Sequence, residues 1–268
     1  MVHTLLTLIA IALYLGAAAA VVARLTRRAD PNDSERLALA AGWGGMLVHG
    51  FLVWRETWTV DGLNLAFFNA ASLIGWIMVL MLLLGTLRRP LVSLGLLVFP
   101  LAAFVALLAS LFGVTGATRV PIGAALDVHV LLSVAAYSVL GLATAQAMLL
   151  AVQERQLRTR QPGGFIRMLP ALQSMESLLF QLVGTGFLLL SLALASGWMF
   201  VEDLFAQSLV HKTSLSVLAW IIFGVLLVGR WSAGWRGQTA IRWTLGGFVT
   251  LALAYFGSKL VLELILAR

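Results

Sequence analysis

Long apolar runs separated by short polar breaks set the pattern of this chain. Eight such runs fall over roughly 3–23, 35–54, 64–86, 91–112, 125–152, 172–197, 209–229 and 240–264. Each reaches the roughly 20 residues that a helix needs to cross a hydrocarbon core about 30 Å thick. The breaks carry turn and charge signals: Asp30-Pro31-Asn32-Asp33-Ser34, Arg88-Arg89-Pro90, Gln161-Pro162-Gly163-Gly164 and Gly234-Trp235-Arg236-Gly237. In the first break, Asp33 or Ser34 is expected to cap the second helix. The pattern predicts an all-α integral membrane protein, a bundle of about eight transmembrane helices. Residues 1–268 are expected to form a single polytopic membrane domain. The first run has no basic segment before it, and its basic cluster (Arg24, Arg27, Arg28) follows it, so it is expected to be a retained helix rather than a cleaved signal.

Composition sharpens this picture. The chain is 61% hydrophobic and 11% charged, against about 25% charged in a soluble domain, which leaves no room for one. It contains no cysteine, so disulfides, thiolate metal sites and thiol-redox roles are excluded. The net charge of +7 suggests nucleic acid only until the positions of the basic residues are read. Thirteen of the eighteen (Arg24, Arg27, Arg28, Arg36, Arg88, Arg89, Arg155, Arg158, Arg160, Arg167, Arg230, Arg236, Arg242) follow the odd-numbered runs. Arg55, Arg119, Lys212, Lys259 and Arg268 fall on the other side. The positive-inside rule then places both termini outside, in the periplasm of a Gram-negative cell. Trp54, Trp58, Trp198, Trp231, Trp235 and Trp243 fall near run ends, as an interfacial aromatic belt would.

With that orientation, three of the four histidines share one depth. His49 precedes Trp54 at the outer end of the second run and so lies about 8 Å inside that end at 1.5 Å per residue. His129 and His211 fall in the first turns of the fifth and seventh runs, which both start outside. Each is read either as a hydrogen-bonded interfacial histidine or as a ligand; histidines from two helices can hold a haem iron from both faces. Zinc or copper fits less well, because no two histidines stand at i, i+3 or i, i+4. Asp127 is a candidate to orient His129, although residues two apart do not face each other on a helix. Lys212 suits either a haem propionate or the membrane interface. Glu202-Asp203 with Gln207 reads as a solvated loop pair or a cation-attracting rim, and Glu176 as an acid at a helix N-terminus. No Walker loop, nucleophile triad or zinc-protease signature is present. The spans also lack the paired midplane acids of a secondary transporter.

Several of these residues recur in a familiar order. Asp127-Val128-His129-Val130 with Tyr137, Gly197-Trp198, Lys212-Thr213 leading to Ala219-Trp220, Gly234-Trp235-Arg236-Gly237, Gly247-Phe248 and Tyr255-Phe256-Gly257 resemble the core of the cytochrome c assembly protein family. His49, Trp54 and Gly62-Leu63-Asn64 resemble its second helix and the following loop. This family includes the CcsA-type and CcmF-type haem-handling membrane proteins, and the likeness extends to its short, eight-helix, YpjD-type branch in the bacterial inner membrane. The resemblance implies that His49 is an intramembrane histidine that helps to hold haem, and that His129 is an external haem ligand. Two departures stand out. The family's Trp-Gly-x-x-Trp-x-Trp-Asp signature is missing, since no tryptophan lies between Trp198 and Lys212, and the later family histidines are absent near Leu227–Gly229 and after Tyr255. His211 stands where the family has another residue, just before Lys212. The resemblance therefore implies haem handling related to cytochrome c biogenesis, with haem b at a rebuilt external site of His129 and His211, His49 nearby, and Lys212 or Arg119 toward the propionates. Haem attachment to an apocytochrome is not expected of this chain alone. The alternative is a haem-free accessory protein of a divalent-cation (magnesium or cobalt) efflux system, with other membrane proteins as partners and no nucleic acid.

Overall fold

A computed structural model describes residues 2–26, 28–59, 62–89, 91–113, 119–120, 124–158, 168–200 and 210–257. Among them, eight helices are long and apolar enough to cross a membrane. They are α1 (Val2–Leu25), α2 (Pro31–Thr57), α3 (Phe67–Thr86), α4 (Gly95–Phe112, entered through a 3-10 turn at Val92–Leu94), α5 (Ala124–Arg158), α6 (Leu172–Phe200), α7 (Val210–Ala233) and α8 (Gln238–Ala252, which reaches spanning length with the π-helical turn Leu253–Gly257). The described fold is all-α apart from a small antiparallel ribbon. In it β1 (Trp58–Thr59) pairs with β2 (Gly62–Asn64), and β2 with β3 (Arg119–Val120). Packing divides the chain into two units, Met1–Pro121 with Val152–Leu172, and Ile122–Ala151 with Gln173–Arg268.

Helix limits depart from expectation where a polar contact intervenes. Asp30, not Asp33 or Ser34, caps α2: its carboxylate accepts from the N–H groups of Asn32 (2.8 Å) and Asp33 (3.2 Å). Pro31 explains this, because its fixed φ suits the first helical position while the residue before it is driven to extended backbone, as Asp30 shows at ψ 128°. Arg24 then pairs with Glu35 at 3.0 Å and closes the α1–α2 connection. Helix α3 begins at Phe67 because Gly62–Asn64 joins the ribbon. Helix α5 runs past residue 152 to Arg158, supported by the Arg158–Glu154 pair at 2.9 Å and by Gln153 donating to the Pro170 carbonyl at 3.0 Å. Helix α8 gives way to a π-helical turn at Leu253–Gly257, and the rest of its expected run lies outside the described residues.

In the first unit α2 acts as the groove. Gly42, Gly45 and Gly50 receive the rings of Phe99, Tyr14 and Trp76 from α4, α1 and α3; a Cβ at these positions would stand 2.9, 2.8 and 2.7 Å from them. Small residues let membrane helices approach this closely. The Tyr14 and Phe99 rings stack at 6.1 Å, and Trp76 donates to the Met46 carbonyl at 2.9 Å.

In the second unit Tyr137 of α5 plays the corresponding part. Its hydroxyl donates to the Leu251 carbonyl at 2.6 Å and meets the Tyr255 N–H. The ring packs edge-on against Tyr255 and Phe256. A side chain inserted into a helical ladder is a known cause of a π-turn, and one begins at Leu253. On the neighbouring pair, Trp220 of α7 stacks on Phe187 of α6 at 5.4 Å and donates to Ser191 Oγ at 2.8 Å.

Two outcomes follow from this packing. Gly45→Ala drives a methyl group into the Tyr14 ring, and overpacking of this kind costs about 1–3 kcal/mol; thermal unfolding in detergent should show a clear fall in Tm, and an unchanged Tm would contradict the contact. Tyr137→Phe removes the hydroxyl that donates to the Leu251 carbonyl and should cost about 1 kcal/mol, a smaller fall read in the same melt.

Candidate functional site

His129 sits two residues after Asp127 in the opening turns of α5, half-buried. Its Nδ1 lies 2.9 Å from the carbonyl oxygen of Ala193 and 3.1 Å from Ser196 Oγ, both on α6. A carbonyl can only accept, so Nδ1 carries the proton and the Nε2 of the neutral ring carries the lone pair. Ser196 Oγ itself donates to the Ala193 carbonyl at 2.8 Å, which fixes both partners of the ring on one turn of α6. Gly197 completes the seat, because a Cβ there would stand 3.0 Å from His129 Cε1. Among the described residues Nε2 has no hydrogen-bond partner. An imidazole held through Nδ1 by a backbone carbonyl, with Nε2 open, is the usual arrangement of a metal-ligating histidine. The orienting partners thus come from α6 and not from Asp127.

His49 is the opposite case. It is 1% exposed in the interior of the first unit, and both of its nitrogens are engaged. Tyr14 Oη lies 3.2 Å from Nδ1, and Ser72 Oγ lies 2.9 Å from Nε2. The ring therefore joins α1, α2 and α3. Sequence reasoning missed Tyr14 and Ser72, although a signal existed: Tyr14 is one of only three tyrosines and stands in the middle of an apolar run, where a phenol needs a partner. His3 also has a partner, its Nε2 lying 2.5 Å from Glu56 Oε1.

His211 belongs to the first turn of α7, but its side chain lies outside the described residues, as do Glu202, Asp203 and Gln207. Lys212 beside it is half-buried. Arg119 lies in β3 of the first unit. Glu176, expected only as an acid at a helix start, instead accepts from the Gly237 N–H at 2.9 Å. Trp54, Trp58, Trp198 and Trp231 are exposed at or next to helix ends, while the Trp235 and Trp243 rings pack at a tilt, 5.4 Å between centroids. No group of three or more His, Cys, Asp or Glu gathers around a common point among the described residues. The described part of the site thus offers one directed imidazole nitrogen rather than a metal cage.

Residues 34–266 match the family model described as cytochrome c assembly protein. The chain is 37% identical over 138 residues to inner membrane protein YpjD of Escherichia coli (strain K12), covering 52% of each chain. It is 32% identical over 143 residues to an uncharacterized 28.8 kDa protein in the nifR3-like 5' region of Azospirillum brasilense, covering 53% of each. Against the cytochrome c biogenesis protein CcsA of Prochlorococcus marinus (strain MIT 9303), identity is 28% over 91 residues, covering 33% of this chain and 29% of the relative. The chain spans about half the length of the first of these curated relatives, 52%. No solved structure matches it. The family match runs through most of the chain, and the relatives and the eight long apolar helices agree on a multi-pass protein of the bacterial inner membrane. The chain belongs to the cytochrome c assembly protein family.

Proposed function

We propose that this protein handles haem in the service of cytochrome c maturation, with a b-type haem near the outer face of the membrane. The observation that carries this reading is the seat of His129: Nδ1 is held by the Ala193 carbonyl, and Nε2 has no partner among the described residues. His211, in the first turn of α7, is the second iron ligand in this reading, and the ammonium group of Lys212 beside it pairs with a propionate. His49 is retained as the intramembrane histidine that the family likeness implies, but it reaches haem only by releasing Tyr14 or Ser72. When bound, haem would supply one-electron redox chemistry; the chain's own part is to orient the ring of His129 and to keep a lone pair on its Nε2.

The excess of basic residues after odd-numbered helices supports an outside location for both termini, and hence for the starts of α5 and α7. We read residues 1–268 as one membrane domain of the cytochrome c assembly type, because the family match extends through both packing units. The role is haem handling or electron relay rather than haem attachment, since no tryptophan lies between Trp198 and Lys212 to present the cofactor.

The test is the reduced-minus-oxidised visible spectrum of detergent-purified protein from haem-replete cells. The wild type should show a bis-imidazole b-type spectrum, and His129→Ala and His211→Ala should each abolish it while leaving the protein folded. A well-folded, colourless wild type would overturn the reading. If deletion then altered magnesium or cobalt tolerance and left cytochrome c levels unchanged, the function would pass to an accessory role beside a cation efflux system.

A further inference from the structure

The Gly234-Trp235-Arg236-Gly237 turn between α7 and α8 plays no part in the haem reading, yet it is built with care. Gly234 and Gly237 take φ of +64° and +54°, a backbone region that other residues rarely adopt. The N–H of Trp235 returns to the Gly229 carbonyl at 3.1 Å, and its ring fills the space over Gly229, where a Cβ would come within 2.5 Å. Arg230 Nη1 donates to the Trp235 carbonyl at 3.2 Å, with its guanidinium 4.6 Å from the Phe180 ring centroid. Glu176 Oε1 accepts the Gly237 N–H at 2.9 Å, and the Trp235 ring packs at a tilt against Trp243. The backbone is therefore held from α6, α7 and α8 at once.

What this frame presents to the outside is basic. The Arg236 side chain is 66% exposed and touches Glu176 only through Nε, at 3.9 Å. Arg236, Thr239 and Arg242 are all exposed at three-residue intervals, and Trp231 at the end of α7 is 87% exposed. Among the described residues of this corner Arg230, Arg236 and Arg242 are basic and Glu176 is acidic, so their formal charges sum to a positive excess. It also stands at the ends of two helices that are long and apolar enough to cross a membrane, and the ends of such spans meet phosphate headgroups and the interfacial layer that tryptophan prefers.

We propose that this corner is a binding site for the headgroup of an acidic phospholipid. The forked donors of Arg236 and Arg242 match phosphate oxygens, and Trp231 lies in the ester layer beside them. A zwitterionic headgroup brings its own cation, so the uncompensated charge of the corner selects lipids of net negative charge. Because the turn is already rigid, little conformational freedom is lost on binding. The proposal is independent of whether the protein binds haem.

The test is native mass spectrometry of the full-length protein titrated with phosphatidylglycerol, and in parallel with phosphatidylcholine. The exposed pair Arg236→Gln/Arg242→Gln should lower phosphatidylglycerol retention about 30-fold, at roughly fivefold for each surface arginine, without changing phosphatidylcholine retention. Arg88→Gln/Arg89→Gln removes the same charge at the α3–α4 connection and should leave retention at the wild-type level. Glu176→Ala separates a built site from bulk charge, since it makes the corner more positive but removes the bond that holds Gly237. Weaker retention is expected for it. Unchanged retention in the first pair, an equal loss in the second, or unchanged or tighter retention in Glu176→Ala would each overturn the proposal.

Discussion

Hydrocarbon offers no hydrogen-bond partner, so each polar group that enters the membrane must bring one with it. For the backbone this means helices, and eight of them account for most of the described residues. For side chains it means returning to a carbonyl or to each other. The hydroxyls of Ser138, Thr144 and Thr244 return to the carbonyl four residues back. Trp76, Tyr137 and Trp220 reach across to a neighbouring helix. The buried atoms that lack a partner among the described residues are Arg24 Nε, Thr57 Oγ1, Asn69 Oδ1 and Gln153 Oε1. Arg24, Thr57 and Asn69 belong to the first or last turns of helices, where the requirement relaxes, and Gln153 stands in the basic, polar end of α5 beyond its apolar run.

Under the same constraint, two histidines come to different ends. His49 is enclosed, and its two nitrogens are satisfied by hydroxyls from two other helices, so the ring is a structural tie across α1, α2 and α3. His129 is half-buried, and among the described residues only its Nδ1 is satisfied, by a carbonyl that also dictates its tautomer. The difference lies in the neighbours and not in the residue. Tyr14 and Ser72 offer hydroxyls that adapt to either nitrogen, whereas a carbonyl on one side leaves the other nitrogen as an open lone pair. Gly197 matters for the same reason, since it lets the ring lie close enough to α6 to reach that carbonyl.

Where the spans end, charge takes over from hydrogen bonding as the organising force. Arg24 with Glu35 and Arg158 with Glu154 close or extend helix termini. Glu176 does more: its two oxygens meet a backbone N–H and a guanidinium, which ties the start of α6 to the turn that opens α8. A four-residue connection held in this way presents arginines at a defined position, which a loose loop of the same composition would not do.

Much of this was legible in one dimension, because spanning a bilayer is a matter of length and apolarity, and both are local. The eight helices, the break at Gly234–Gly237, the family likeness and the candidacy of His129 could all be read from residue order alone. Some errors were local too: Asp30 rather than Asp33 or Ser34 caps α2, because Pro31 restricts the residue before it. What residue order could not settle is which polar atoms meet. Tyr14 and His49 are 35 positions apart, His129 and Ala193 are 64, and Glu176 and Gly237 are 61. No periodicity carries information over such separations. A hydrogen bond needs its atoms within a few tenths of an ångström of the right place, and only the packing of one helix against another brings them there. The sequence by itself therefore determined a membrane-spanning frame of the cytochrome c assembly type with three candidate histidines, while tertiary contact alone decided that His49 has partners on both nitrogens and that His129, among the described residues, has them on Nδ1 only.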